Sequence, residues 1–427
     1  MVVKKILKKI IPEKVKFNIR LLLNRIKYRN LIKTTQNHYK EVIENLKKRK
    51  NRPLRFAAFV VFDSTFGADT LIKLIQNDSS MDFKIVIIPD TSRGKTHMLN
   101  QYNSTKNFFI NKYGNENVVD GYDIENDIFN DVSDSFDIIY FANPYDSMVH
   151  NFHGIEYNAS KNTLPVYIPY AFQPDKYCRS IISQKNMALC WKIFSDTEYS
   201  MNEYKKYSLN HGKNVILSGY TKMDTLEEYF QNISSNKRKQ IILAPHHTIT
   251  YNELPLSNFL RLKDYILNLP QRFPDVEFIF RPHPLLFTNM INEGFWTLDD
   301  KESYIQKLKE NGIQCSFGGT YFDLFAKSDA IIHDCSSYIV EYLFVDKPCC
   351  FVIRSNMKKI LCKLGIECLK CYNIARTEDD IDKFISSVCS STANKFENRR
   401  KKVLPKIKYN YPNSSKIIFE EIKKLIY

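Results

Sequence analysis

Two short stretches in the second half of this 427-residue chain combine residue types suited to holding phosphate. In the first, the apolar run Phe278-Ile279-Phe280 breaks at Arg281-Pro282-His283-Pro284. In the second, Ala330-Ile331-Ile332-His333 runs into Asp334-Cys335-Ser336-Ser337, followed by a helical pattern and the stop Asp346-Lys347-Pro348. Each reads as a buried strand with polar groups at its carboxyl end, which is where ligands sit in open α/β sheets. Arg281 and His283 lie two apart, so both can face one side, and the prolines stiffen the turn. Their side chains supply donors for phosphate oxygens. A helix starting after Ser336 and Ser337 would aim free N–H groups and its positive dipole end at an anion, although such serine pairs also act as plain caps. Asp334 would orient this loop or a ribose hydroxyl. Glu341, one turn into the helix, would reach a ribose or base, or else stay solvated. The chemistry these groups share is the binding of a nucleotide diphosphate.

Ala244-Pro245-His246-His247-Thr248 follows a third apolar run, Ile241–Ala244. Adjacent histidines in an extended turn point different ways, so one of the two is expected to meet the substrate. An imidazole can take a proton from a hydroxyl or, protonated, stabilise a departing phosphate. In the first half, Asp63-Ser64-Thr65-Phe66-Gly67 and Asn143-Pro144-Tyr145-Asp146 also follow strand patterns. Loop chemistry accounts for them as well as a binding role does. Asp63 or His246 is the candidate base. Metal is not expected. His246 and His247 have no evident third ligand, and Cys368-x-x-Cys371, near Cys362, has no second pair at zinc spacing.

The elements that must position these residues alternate. Strands are expected at Phe56–Phe62, Phe83–Pro89, Phe136–Phe141, Pro165–Tyr170, Lys192–Ser195 and Val215–Ser218, with helices at Asp69–Gln76 and Glu198–Tyr207. A second series has strands at Gln240–Ala244, Val276–Phe280, Gln314–Phe317, Ala330–His333 and Pro348–Ile353. Helices at Phe259–Leu267, Tyr304–Lys309, Tyr321–Lys327 and Tyr338–Phe344 lie between them, and Ser415–Tyr427 closes the chain. The order argues α/β: two doubly wound, Rossmann-like domains facing a cleft. The polar stretch Asn232–Lys239 serves as linker. The expected division is 1–52, a basic helical extension; 53–235, an acceptor domain; 236–405, a nucleotide-donor domain; and 406–427, a C-terminal helix packing back on the first domain. Neither G-x-G-x-x-G nor a P-loop occurs, which sets aside NAD enzymes and P-loop kinases.

The net charge of +15 is concentrated: residues 1–52 hold 17 Lys and Arg against three Glu, and the remainder 45 basic against 44 acidic. Within that extension Val3, Ile6, Leu7 and Ile10, then Ile19, Leu22, Leu23 and Ile26, form apolar helical faces among lysines and arginines. This is the pattern of helices lying on an anionic membrane through residues 1–50, with packing on the protein's own domain as the plainer reading. Nucleic acid is set aside, because the rest of the chain has no basic stripe interleaved with aromatics. No apolar run of transmembrane length, no signal-peptide pattern and no dense disulfide framework among ten cysteines point to a cytoplasmic protein, peripheral on the inner face of the membrane.

Gly219-Tyr220-Thr221-Lys222-Met223-Asp224-Thr225-Leu226, the Arg281–Pro284 and Asp323–Ser337 stretches and the Asp346-Lys347-Pro348 stop resemble, in this order, motifs of the CDP-glycerol glycerophosphotransferase family. These enzymes build teichoic-acid-like polyol-phosphate polymers on a GT-B fold. The resemblance implies that Arg281 and His283 hold the nucleotide's phosphates and favours Ser336 and Ser337 as ligands; with Asp334 and Glu341 these are the expected nucleotide- and phosphate-binding residues, and His246, His247, His283 and Asp63 are the expected catalytic ones. It implies a CDP-activated polyol donor, a lipid-linked or polysaccharide acceptor, CMP as leaving group and no cofactor. Two departures stand out. Where the family has Trp-His-Gly, this chain reads Tyr167-Ile168-Pro169-Tyr170-Ala171-Phe172, and where it has A-P-T-W-R, this chain has Ala244–Thr248. Tyr170 in the histidine's place is a poor base at neutral pH. The rivals are a GT-B glycosyltransferase using a nucleotide-sugar in capsule or lipopolysaccharide synthesis, and a catalytically silent binding protein.

Overall fold

The computed structural model describes residues 12–49, 52–232, 238–251, 254–354 and 356–426. The chain divides into two compact units: Met1–Tyr170, Arg179–Ser218 and Ser415–Tyr427 make unit 1, and Ala171–Cys178 with Gly219–Ser414 make unit 2. Sequence reading set the boundary at 235/236 and placed the linker at 232–239, of which 233–237 lie outside the described residues. By contacts, Gly219–Asn232 goes with unit 2.

Unit 1 is built on a seven-stranded parallel sheet. Its strands are β1 (Leu54–Val60), β2 (Met81–Ile87), β3 (Val118–Asp120), β4 (Ile138–Phe141), β5 (Leu164–Tyr167), β6 (Lys192–Ser195) and β7 (Val215–Leu217). They lie in the order β3-β2-β1-β4-β5-β6-β7. The central strand, Leu-Arg-Phe-Ala-Ala-Phe-Val, is buried at every position but Arg55, as a parallel strand covered on both faces must be. Arg55 and Arg49 both pair with Asp137, fastening the entry to β1. Helix α1 (Glu13–Lys48) runs unbroken through the amphipathic stretch expected around Ile19, Leu22, Leu23 and Ile26; the one expected around Val3, Ile6, Leu7 and Ile10 lies outside the described residues. Helix α2 (Asp69–Gln76) follows the prediction, whereas α3 (Lys95–Tyr113) was not legible. Its buried face includes Gln101 and Thr105, so it lacks an apolar stripe. Both residues donate to the Val61 carbonyl and tie α3 to the end of β1.

Unit 2 repeats the plan. Strands β8 (Lys239–Ala244), β9 (Val276–Phe280), β10 (Gln314–Cys315), β11 (Ala330–His333), β12 (Cys349–Val352) and β13 (Asn373–Ala375) form a six-stranded parallel sheet, ordered β10-β9-β8-β11-β12-β13. Strand order reverses between β8 and β11, where Ala244 stands opposite His333. Both motifs and the histidine pair leave the sheet at or beside this switch point, the ligand position of doubly wound sheets. Phe259, Phe278, Phe280, Leu286 and Ile381 fill one face of the core. Both sheets and their strand order fit the GT-B class expected from sequence.

Candidate nucleotide-phosphate site

The loops after β8, β9, β10 and β11 are fastened to one another through a few buried polar side chains. Arg281 and His283 continue the β9 ladder, their amides donating to Leu243 and Pro245 carbonyls at 2.8 and 2.9 Å. Their side chains then separate. The Arg281 guanidinium donates to Ser316 Oγ and the Gly319 carbonyl, each at 2.7 Å, and lies 5.7 Å from the Tyr321 ring. It therefore organises the loop after β10, in which Gly318 and Gly319 both hold positive φ (67° and 64°).

His283 joins His246 and His247 instead. The three rings lie 4.0–5.2 Å apart between centroids. One ring nitrogen from each falls within 4.8 Å of the other two. The expectation that neighbouring histidines diverge fails here, because the loop is not extended: the Ile249 amide donates to the His247 carbonyl at 3.1 Å. Strand alternation does not apply to such a turn.

The hydrogen bonds of these rings fix what they can do. His283 Nδ1 accepts from the Leu285 amide at 3.1 Å. His246 Nδ1 meets the Thr248 hydroxyl at 2.8 Å and accepts from the Thr248 amide at 3.3 Å. Asn289 Nδ2 donates to both His247 Nδ1 (3.0 Å) and the His247 carbonyl (3.1 Å), which orients the amide. A nitrogen that accepts from an N–H bears no hydrogen, so each neutral ring carries its hydrogen on Nε2. Burial, reinforced by the neighbouring imidazoles, holds His246 and His283 well below the usual imidazole range, which keeps them neutral. Three-histidine metal sites use a ring lone pair while the other nitrogen donates outward. Here the lone pairs are already engaged at Nδ1, so the set suits an anion better than a cation. Among the described residues this is the grouping with ligand spacing; Cys362, Cys368 and Cys371 are buried and form no disulfide.

Asp334 is a structural hub. Its Oδ1 accepts from the His246 amide and its Oδ2 from the Asn258 amide, both at 2.6 Å, with Asn258 Nδ2 at 3.2 Å. Burial nevertheless lifts its carboxyl to about 6. Of its two expected roles, orienting the loop is the one these contacts support. Glu341 is buried as well: Tyr220 and Tyr321 donate to its two oxygens at 3.2 and 2.6 Å, and burial raises its pKa. Ser336 bonds the buried Asp175. Ser337 precedes a helix shorter than expected, Tyr338–Glu341 continued by a 3-10 turn to Val345, and caps it with no side-chain bond. In unit 1, Asp63 sits on the 3-10 turn Asp63–Thr65 directly past β1.

Several residues of the site escaped sequence reading. Tyr220 and Lys222 belong to the Gly219–Leu226 stretch, yet nothing in it announced that Tyr220 would hold Glu341 or that Lys222 would lie 5.1 Å from the Tyr321 ring. Asn258, Asn289 and Ser316 have no signal in the sequence. Lys347 of the Asp-Lys-Pro stop serves the scaffold: its ammonium donates to the carbonyls of Phe325, Ala326 and Ser328, closing helix Phe322–Lys327.

The profile of the CDP-glycerol:poly(glycerophosphate) glycerophosphotransferase family matches residues 176–422, more than half of the chain. The chain belongs to this family. It is accordingly a transferase of the glycerophosphotransferase class. Solved structures agree on the fold. The wall teichoic acid polymerase TagF, soaked with CDPG, superposes with a TM-score of 0.54 at 13% identity, over 96% of this chain and 98% of that one. A UDP-N-acetylglucosamine 2-epimerase gives 0.53 at 12% identity over 87% and 95%. The epimerase from Neisseria meningitidis, bound to UDP-GlcNAc, gives 0.50 at 13% over 87% and 100%. No curated protein matches the chain by sequence.

Proposed function

We propose that this glycerophosphotransferase-family chain moves glycerol phosphate, or a related polyol phosphate, from a CDP-activated donor to a hydroxyl of a polysaccharide or lipid-linked acceptor, releasing CMP. The observation that carries the reading is the histidine trio at the β8/β11 switch point: Nδ1 of each ring accepts an N–H, which puts the hydrogen of a neutral ring on Nε2, and burial keeps His246 and His283 neutral. Such N–H groups stabilise the charge that grows on transferring phosphoryl oxygens without a metal ion. Arg281 shapes the adjoining loop, and Asp334, Ser336 and Glu341 hold its neighbours in place. His246 and His247 thus act as donors. A neutral ring whose lone pair is engaged is not the base first envisaged for His246.

Helix α1 supports attachment to an anionic membrane. Leu21, Ile32, Tyr39 and Val42 are buried against unit 1, whereas Val15, Ile19, Leu22, Leu23 and Ile26 stay exposed in one stripe, up to 66% at Ile26. Exposed Lys14, Arg20, Lys27 and Arg29 accompany that stripe, as expected for a helix lying at a charged lipid surface. Among the described residues, no helix is long and apolar enough to cross a membrane.

Product analysis tests the reading. Purified chain given CDP-glycerol and a glycerol-phosphate oligomer should release CMP and lengthen the oligomer, with EDTA present. Release of UDP or GDP from nucleotide-sugars, with no CMP from CDP-polyols, would assign it to the glycosyltransferases instead. For the membrane, flotation with phosphatidylglycerol vesicles should fall sharply in the Leu22→Glu, Leu23→Glu double variant; unchanged flotation removes the membrane role.

A further inference from the structure

The three rings of the histidine trio engage their Nδ1 lone pairs in two different ways. His246 and His283 each accept the main-chain amide two residues further on, Thr248 at 3.3 Å and Leu285 at 3.1 Å. The turn that carries the ring supplies the donor. His247 does not follow this pattern, because the amide two residues on, that of Ile249, is taken up by the His247 carbonyl at 3.1 Å. Its ring is served by a side chain 42 residues away: Asn289 Nδ2 lies 3.0 Å from His247 Nδ1 and 3.1 Å from the His247 carbonyl.

This double contact decides which end of the amide faces the ring. A carbonyl oxygen only accepts, so the group of Asn289 beside it is the NH2, and the ring nitrogen that meets the same NH2 accepts as well. The hydrogen of the neutral His247 ring is thereby set on Nε2. Asn289 is itself held firmly. It lies on helix Leu286–Asn292, whose Leu286 and Met290 are fully buried in the unit 2 core. That helix starts on the turn of His283, where the Leu286 amide donates to the His283 carbonyl at 2.8 Å. Just past its other end, Glu293 accepts from the Thr250 hydroxyl at 2.8 Å. One short helix thus joins the turn of His283 to the loop of His247, and from it Asn289 reaches the ring.

We propose that Asn289 is a positioning residue of the transfer site: it keeps His247 a donor through Nε2, the form in which the ring stabilises charge growing on phosphoryl oxygens. The inference rests on the transferase reading above. A carboxylate at position 289 accepts where the amide donates. It would draw the hydrogen of His247 to Nδ1 and turn a lone pair, at Nε2, toward the phosphoryl oxygens. The His247 carbonyl strengthens this reversal, since it repels the carboxylate and leaves Nδ1–H as the partner for it. The plainer use of Asn289, a tie between helix and loop, needs a bond but not this direction of donation, and the two uses therefore predict different orders of effect.

The test uses the full chain carrying nitrogen-15 histidine, in mildly alkaline buffer so that each ring bears one hydrogen. Long-range nitrogen–proton correlation spectra show which nitrogen bears it, and His247→Ala identifies the His247 signal by its loss. The wild type should show the His247 hydrogen on Nε2 and Asn289→Asp should show it on Nδ1. The His246 and His283 signals should stay in place, because main-chain amides hold those rings. With CDP-glycerol and a glycerol-phosphate oligomer, kcat for CMP release should fall about 100-fold in Asn289→Asp. It should fall about tenfold or less in Asn289→Leu, which removes the donor without reversing it, and CDP affinity should change less than about fivefold in both. A displaced hydrogen with undiminished kcat overturns the inference. So does an Asn289→Leu that loses as much as Asn289→Asp, the behaviour of a plain tie, or a loss carried by CDP affinity alone, the behaviour of added charge. A wild type that releases no CMP from any CDP-polyol removes the transferase reading and the catalytic use of Asn289 with it. An active wild type whose Asn289→Asp variant keeps the His247 hydrogen on Nε2 removes this inference alone.

Discussion

His283 separates two functions of one ring, and substitution can address them singly. Its Nδ1 accepts from the Leu285 amide at 3.1 Å, which satisfies the turn after β9, while its hydrogen resides on Nε2. Asparagine reproduces the acceptor near the Nδ1 position and has no donor at Nε2; glutamine does the reverse. A hydrogen bond to a charged partner contributes about 1.5–3 kcal/mol, which corresponds to roughly 10- to 150-fold in rate or affinity. His283→Asn should therefore lose that factor in kcat/KM for CMP release while unfolding close to wild type. His283→Gln should keep kcat/KM within about tenfold yet lose about 1–3 kcal/mol of stability, because the Leu285 amide is left unsatisfied. Steady-state kinetics and urea unfolding of both variants give the four numbers needed. A fully active His283→Asn, or a His283→Gln less active than it, would refute the assignment of the hydrogen to Nε2 and the anion role built on it.

Three further outcomes follow from other contacts. Gly219 holds φ +98°, and a Cβ there would stand 2.2 Å from the Tyr409 carbonyl, so Gly219→Ala should cost about 3 kcal/mol or more in urea unfolding. Lys347→Met removes three bonds to helix-end carbonyls and should destabilise unit 2 by about 3 kcal/mol, with CDP affinity of the folded protein unaltered. Asp334 has its folded pKa raised to about 6, so the folded form retains a proton that the unfolded form releases near the ordinary carboxylate value. Its contribution is present below that value and is lost as pH rises toward 6, on the order of 3 kcal/mol. The fall of the urea midpoint across that window should be shallower in Asp334→Asn; parallel slopes would show that Asp334 does not titrate there.

The sequence determined the strands of both sheets to within a few residues except the edge strands β3 and β13, since a parallel strand covered on both faces must read as an apolar run and these two are only partly buried. Lys192–Ser195, Val276–Phe280 and Ala330–His333 were placed to the residue. It also located the ligand edge, because Arg281, His283, Asp334 and Ser336 follow those runs directly and a strand's end is a local property. Tertiary structure decided how these residues are used. Arg281 and His283, two apart, turn to different partners, Ser316 and Gly319 for the one and the histidine pair for the other. Asp334 and Glu341 spend their oxygens on Asn258, Tyr220 and Tyr321, groups at least 20 residues away along the chain. The same holds for α3, whose buried Gln101 is intelligible only once the Val61 carbonyl stands opposite it. A hydrogen-bond acceptor contributed by a distant loop leaves no periodicity in the sequence, so the type of a polar residue is legible there and its partner is not.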